Sequence, residues 1–181
     1  MMNHFDSPSI IEKTKKIQCL ICDVDGVLTN GFLYIGTHGH ETKAFHVHDG
    51  MGLKLLMAAG IEIAIITTSD NAVIDDRMTQ LGIKHVYKGQ TNKQHAFDTL
   101  KSKLNLSNEA FAYIGDDLPD LPIIQQVGLG VTVGNALPQV KQAADLETTK
   151  HGGAGAVREL CDFILTTQDK FHVALDNYLT A

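Results

Sequence analysis

Two carboxylates two positions apart, Asp23 and Asp25, follow directly on the apolar run 17–22. Side chains two apart on an extended segment point the same way, so both can address one reacting group. Gly26 beside them permits a sharp turn or a close backbone approach. One carboxylate can attack while its neighbour moves protons, which suits covalent catalysis through an acyl-phosphate. Asp also serves structural turns, through local hydrogen bonds, so the pair alone leaves both readings open.

Three further groups fall at corresponding places. The strand 61–67 ends at Thr67-Thr68-Ser69, where a hydroxyl and backbone N–H groups can hold a phosphate oxygen at a helix N-terminus. Ser69 or Asp70 would cap that helix while Thr67 binds phosphate. Lys93 begins another helix, where a cation is electrostatically unfavourable. Neutralising a phosphoryl group would account for it; a solvated surface lysine is the alternative. Gly115-Asp116-Asp117-Leu118-Pro119-Asp120 crowds three acids into five positions, which repel one another unless a cation joins them. Mg²⁺ prefers one or two carboxylates plus substrate oxygens and waters, so Asp116 with Asp23 forms a candidate hard-metal site. An acidic turn capping the next helix is the alternative.

Strand and helix signals alternate along the chain to position these groups. Strands are expected at 17–22, 61–67, 84–87, 111–114 and 130–133, with a hairpin of arms 31–35 and 42–47. Helices are expected at 51–59 (capped by Asp49), 70–81, 92–104, 118–127, 137–143 and from 154 to about 165, with an extension toward 178. The pattern implies an α/β fold, a Rossmann-like doubly wound parallel sheet, with each candidate group beyond a strand's carboxyl end. Residues 1–16 read as a mobile N-terminal extension, 17–165 as a single domain containing the hairpin 31–47, and 166–181 as a C-terminal tail.

In this order the groups resemble the haloacid dehalogenase-like phosphohydrolases, and within them the 3-deoxy-D-manno-octulosonate 8-phosphate phosphatases. The likeness is carried by DVDGVLTNG (23–31), KAFHVHDGMGLKLL (43–56), IAIIT (63–67), RMTQLGIKHVYKGQTNK (77–93), AYIGDDLPDLP (112–122) and GGAGAVRELCDFIL (152–165). The resemblance implies Asp23 as nucleophile and Asp25 as general acid/base, with Asp25 also lending its backbone carbonyl to Mg²⁺. It implies Thr67 and Lys93 as phosphoryl ligands, and Asp116 as the residue completing a metal site of Asp23, Asp25 and Asp116. Asp117 would touch substrate or hold the loop. On the substrate side it implies His46, Val47, His48, Asp49, Gly50, Lys54, Ser69 and Arg77, besides Asp25, Lys93 and Asp117. A fork of donors such as Arg77 suits a sugar acid's carboxylate.

Asp23 and Thr67 stand 44 positions apart and Thr67 and Lys93 stand 26 apart. Neither interval holds a separate cap domain, so the fold is expected to be capless. The resemblance implies a homotetramer in which a neighbour's hairpin and tail close each site. Phe32, Tyr34, Phe45 and Val47 would offer apolar surface for this; a hairpin packed on its own subunit is the alternative. This chain departs from the family's arginines at His48, at Thr68-Ser69 and at Ala154. A related nonulosonate phosphate, such as a sialic-acid-type 9-phosphate, therefore stays open as substrate.

Composition sets outer bounds. With 181 residues, 44% hydrophobic and 20% charged, the chain can bury one sizeable core. A net charge of −6 and a pI of about 5.8 speak against nucleic acid or an anionic membrane as partner. Nothing approaches the ~20 apolar residues of a membrane span, and residues 1–16 lack the apolar core of a secretory signal. Cys19 and Cys22 share one strand, so C-x-x-C reads as buried, reduced core rather than redox or zinc chemistry, consistent with the cytoplasm. The activity so implied is Mg²⁺-dependent hydrolysis of a sugar-acid phosphate in lipopolysaccharide precursor synthesis. A phospho-accepting receiver domain is the non-enzyme rival, but receivers place the adjacent acid pair after the first strand, and here Asp116-Asp117 comes late.

Overall fold

Four consecutive residues with no solvent exposure, Cys19–Cys22, form β1 and mark it as a strand covered on both faces. The computed structural model describes residues 5–180. Along the chain β1 is followed by β2 (Tyr34–Ile35), β3 (Glu41–Thr42), β4 (Glu62–Ile66), β5 (His85–Tyr87), β6 (Phe111–Gly115), β7 (Leu129–Thr132) and β8 (Leu146–Glu147). The helices are α1 (Pro8–Lys15), α2 (Val47–Ala58), α3 (Ala72–Leu81), α4 (Lys93–Leu104), α5 (Leu121–Ile124), α6 (Pro138–Ala143), α7 (Ala156–Thr167) and α8 (Phe171–Thr180).

Six strands make one sheet in the order β5-β4-β1-β6-β7-β8, with every pairing parallel. The chain runs outward from β1 through β4 to β5, then returns past β1 to β6, β7 and β8. That reversal opens a crevice at the carboxyl ends of β1 and β6, where Asp23 and Asp116 follow their strands. α2 packs against α7, with α1 and α8 beside them, while α4, α5 and α6 form a second contiguous set. Right-handed crossovers put the two sets on opposite faces. Only the hairpin and α2 lie between β1 and β4, and only α3 between β4 and β5: the fold is capless.

Several boundaries differ from expectation, each for a local reason. The hairpin is reduced to two paired positions, Tyr34 with Thr42 and Ile35 with Glu41. α2 begins at Val47, and its cap is His46, whose Nδ1 accepts the His48 N–H, rather than Asp49. His46 and His48 meet edge-to-face across the helix start at 5.0 Å. Asn71 caps α3 in place of Ser69 or Asp70, its side chain accepting the Val73 N–H. The expected helix 118–127 is a 3₁₀ turn, Leu118–Asp120, leading into the short α5.

The described parts of the two terminal segments also fold more tightly than expected, residues 1–4 of the expected extension lying outside the described residues. Residues 8–15 are not a mobile extension: Ile10 is fully buried in the core, a contribution of about 1.5–3 kcal/mol. Gln168 then ties this helix down by donating to the carbonyls of Thr14 and Ile17. A break at Asp169, in the left-handed region at φ 55°, separates α7 from α8. α8 turns back onto α2, with Asn177 Nδ2 donating to the Ala58 carbonyl. Ala58 ends α2 beside the amino end of β4, so the tail lies at the opposite end of the sheet from the crevice.

Candidate active site

The floor of the crevice is assembled from two strand ends and one helix start. β1 delivers Asp23, which is 7% exposed. β6 delivers Asp116 and Asp117, and the turn after them returns Asp120, fully buried, beneath the crevice. α4 supplies Lys93 as its first residue, with Asn92 capping the helix by accepting the Gln94 N–H. The Lys93 ammonium sits 2.9 Å from Asp23 Oδ1, a charge contact. It donates to Asp120 Oδ1 at 2.7 Å. Tyr113 donates its hydroxyl to the same Asp120 oxygen at 2.6 Å. These buried carboxylates, rather than solvent, explain a cation at a helix N-terminus.

Asp120 is the residue that sequence reasoning undervalued. Its Oδ2 accepts the backbone N–H groups of Asp116 and Asp117, while its Oδ1 holds Lys93, so one carboxylate fixes both the acidic loop and the ammonium. The available signal was the third acid four positions after Asp116, folded back by Pro119. Asp117 itself is exposed and accepts the Leu118 N–H through Oδ1, which holds the turn.

Charge in this pocket is unbalanced. Carboxylate oxygens of Asp23, Asp116 and Asp120 lie within 4.8 Å of one another, and Asp116 Oδ1 is buried without a hydrogen-bond partner. Burial, with the negative charges of Asp23 and Asp120, pushes Asp116 up to about 7. Asp23 is raised to about 6 by burial, which outweighs the attraction of Lys93. Lys93 is raised as well: burial opposes its charge, but Asp23 and Asp120 prevail. Both Asp120 oxygens are already committed, which leaves Asp23 and Asp116 as the open donors. Hard oxygen donors with an orphaned lone pair fit Mg²⁺. Gly26, at φ +90°, is required beside them: a Cβ there would lie 2.0 Å from Asp116 Oδ2.

Asp25 stands at the edge of this floor, and its carboxylate is gripped by Lys43. The Lys43 Nζ donates to Oδ1 at 2.7 Å and to Oδ2 at 2.8 Å. Nothing in the sequence singled Lys43 out beyond its place in the 43–56 segment. Thr67 is buried at the end of β4, its Oγ1 accepting the Ser69 N–H. The loop it begins is tied to the next strand's loop through Gly89 N–H to Ser69 O and Gln90 N–H to Thr67 O.

The expected substrate-side residues divide into two groups. Val47 and His48 are exposed, and His46 and Lys54 half-exposed, on the first turns of α2. Asp49 is buried and turned the other way: its Oδ1 accepts the Arg158 N–H in the first turn of α7, 109 positions on. Gly50 is buried against Arg77, whose guanidinium also lies 5.8 Å from the centre of the Phe45 ring. Among the described residues, none of these side chains bonds to the carboxylate cluster.

The loop carrying Asp23 and Asp25 is braced from below by the glycine-rich segment 152–155. Gly153 donates its N–H to Val27 O, and Gly152 donates to Asn135 Oδ1. A Cβ on Gly152 would meet the Gly26 carbonyl oxygen at 1.7 Å.

Comparison with known proteins agrees with this geometry. Residues 67–160 match the haloacid dehalogenase-like hydrolase family. The chain is 46% identical over 168 residues to the 3-deoxy-D-manno-octulosonate 8-phosphate phosphatase of Salmonella typhimurium, covering 93% of this chain and 89% of that one. It superimposes with a TM-score of 0.89, at 43% identity, on the Moraxella catarrhalis 3-deoxy-D-manno-octulosonate 8-phosphate phosphatase, solved with magnesium ion, phosphate ion and the sugar acid; 93% and 97% of the two chains are covered. The Yersinia pestis phosphatase of the same name gives a TM-score of 0.90 at 45% identity, over 91% and 89%. This chain belongs to the 3-deoxy-D-manno-octulosonate 8-phosphate phosphatase family of the haloacid dehalogenase-like hydrolases.

Proposed function

We propose that the chain hydrolyses 3-deoxy-D-manno-octulosonate 8-phosphate to the free sugar acid and inorganic phosphate through an aspartyl-phosphate. The observation that carries this reading is a buried carboxylate, Asp23, paired with the buried Lys93 ammonium beside an acid with an unsatisfied oxygen. A dianionic phosphate would be repelled by Asp23 alone, and most of phosphoryl-transfer catalysis is positioning and charge stabilisation. Thr67 and Lys93 hold the phosphoryl oxygens. Asp23 attacks phosphorus, the bond from phosphorus to the sugar oxygen breaks, and Asp25 gives that oxygen its proton. Asp25 then takes a proton from the water that attacks the aspartyl-phosphate, which frees Asp23 and releases phosphate. Asp23, Asp116 and the Asp25 backbone carbonyl would hold Mg²⁺, whose positive charge would offset the negative phosphoryl oxygens.

The exposed start of α2, with His46, Val47, His48 and Lys54, is the side from which the sugar acid is contacted, together with Ser69 and Arg77. Asp49 and Gly50 support that surface through α7 and Arg77. The exposed hairpin suits a homotetramer in which a neighbour's hairpin closes each site. The reaction belongs to lipopolysaccharide precursor synthesis in the cytoplasm; no helix among the described residues is long and apolar enough to cross a membrane.

The test is phosphate release from a panel of octulosonate and nonulosonate phosphates, with and without Mg²⁺. The 8-phosphate of the octulosonate is expected to give the highest kcat/KM, and chelation is expected to remove activity. A preference for a nonulosonate 9-phosphate would reassign the substrate while leaving the chemistry intact.

A further inference from the structure

In a capless fold no overlying domain fixes the carboxylate that must move a proton twice, and the hairpin supplies what is missing. Lys43 lies just beyond β3, yet its side chain is only 3% exposed. Its ammonium contacts both oxygens of Asp25 and also Glu41 Oε1 at 2.7 Å. Burial opposes the Lys43 charge, but the hydrogen bonds it donates to Asp25 and Glu41 more than offset this and raise its pKa. Stability is a poor reason for such an arrangement, because a buried ion pair is often no better than an apolar replacement. Orientation is a better one: an ammonium bonded to both oxygens restricts the rotation of the carboxylate. Glu41 serves the same end, since Lys43 keeps a partner when Asp25 turns an oxygen toward substrate.

We propose that Lys43 is a positioning residue, with which the hairpin's return arm aims the Asp25 carboxylate at the reacting phosphoryl group. The proposal rests on the acid/base role given to Asp25 above. Since Glu41 belongs to β3, moving the hairpin moves the clamp.

The test is steady-state phosphate release from 3-deoxy-D-manno-octulosonate 8-phosphate at saturating Mg²⁺, with thermal unfolding of each variant as control. Lys43→Met is expected to lower kcat by about 10- to 100-fold, the scale of a small misplacement of a reacting group, with KM within about twofold. Lys43→Arg is expected to restore part of the rate, and Glu41→Gln to cause a smaller fall in kcat. The double variant Asp25→Asn, Lys43→Met is expected to be no slower than Asp25→Asn alone, because residues acting as a unit are non-additive. Wild-type kcat in Lys43→Met, a rise in KM without a fall in kcat, or full additivity in the double variant would overturn the Lys43 role alone. Wild-type turnover in Asp25→Asn would overturn the Asp25 reading as well. Should Lys43→Met not fold, wild-type kcat in both Lys43→Arg and Glu41→Gln overturns the proposal.

Discussion

At the carboxyl ends of β1 and β6, Asp23, Lys93 and Asp120 are buried and bound to one another, whereas all of residues 31–40 in the hairpin are exposed. The hairpin presents Phe32 at 70%, Leu33 at 67% and Ile35 at 68% exposure. The floor is thus assembled within one chain, Lys93 joining Asp23 to Asp120 while Asp116 Oδ1 is left without a partner. The hairpin's arms are joined by two register pairs and one Gly36-to-His40 backbone bond, and its return arm is tied to the floor through Lys43, while Phe32, Leu33 and Ile35 stay exposed. In the proposed assembly, chemistry belongs to the single domain, and enclosure of the substrate would fall to a surface that the domain leaves exposed.

Replacing the nucleophile tests the first half of that contrast most severely. Asp23→Asn is expected to abolish turnover while the protein stays folded; substantial residual phosphate release would remove the covalent mechanism. Gly152→Ala attacks the same floor from its support. The new Cβ has no room beneath the Gly26 carbonyl, so the loop must shift, at a cost of about 1–3 kcal/mol and with kcat lowered further than that loss of stability explains. A wild-type rate and melting temperature would show that the brace is dispensable.

Hairpin substitution sharpens the other half. Ile35→Asp is expected to leave the subunit folded but to reduce the sedimenting species to monomer, with kcat/KM down about tenfold, or roughly 1.4 kcal/mol. A fully active monomer would show that no neighbour's hairpin is needed to close the site.

The mildest expected effect is on stability against pH. Asp116 at about 7 and Asp23 at about 6 lie above the ordinary carboxylate range, so the folded metal-free chain binds more protons than the unfolded one. Stability is then highest below pH ~4 as far as these groups are concerned, and is lost as pH rises toward 7. Without metal, the melting temperature at pH 8 is expected to fall below that at pH 5.5 by at least about 2–4 °C, the shift that roughly 1 kcal/mol brings in a chain of this size. Saturating Mg²⁺ is expected to erase the difference. A metal-free melting temperature that rises with pH would contradict the assigned charge imbalance.

The floor was legible because its signals are local. Asp23, Asp25, Thr67 and Asp116 each sit where an apolar run gives way to polar residues, and Lys93 stood out as a cation at the wrong end of a helix dipole. Contacts made across long separations left no such mark. Lys43 reaches Asp25 over 18 positions and Lys93 reaches Asp120 over 27, and nothing in spacing alone selects those partners. Asp49 shows the same limit: it sits inside a segment expected on the substrate side, and its spacing gave no sign that its Oδ1 accepts from the start of α7. The hairpin's alternating residues suggested longer arms than exist, because alternation signals a strand only where a neighbour is present to pair with it.

The brace between Gly152-Gly153 and the loop after β1 has a consequence for how the molecule comes into being. During synthesis, the attacking aspartate emerges early from the ribosome, but the glycines that lock its loop emerge more than a hundred residues later. Fragments that end before Gly152 are therefore expected to hold every reactive group named above and yet to lack the contacts that brace the loop after β1.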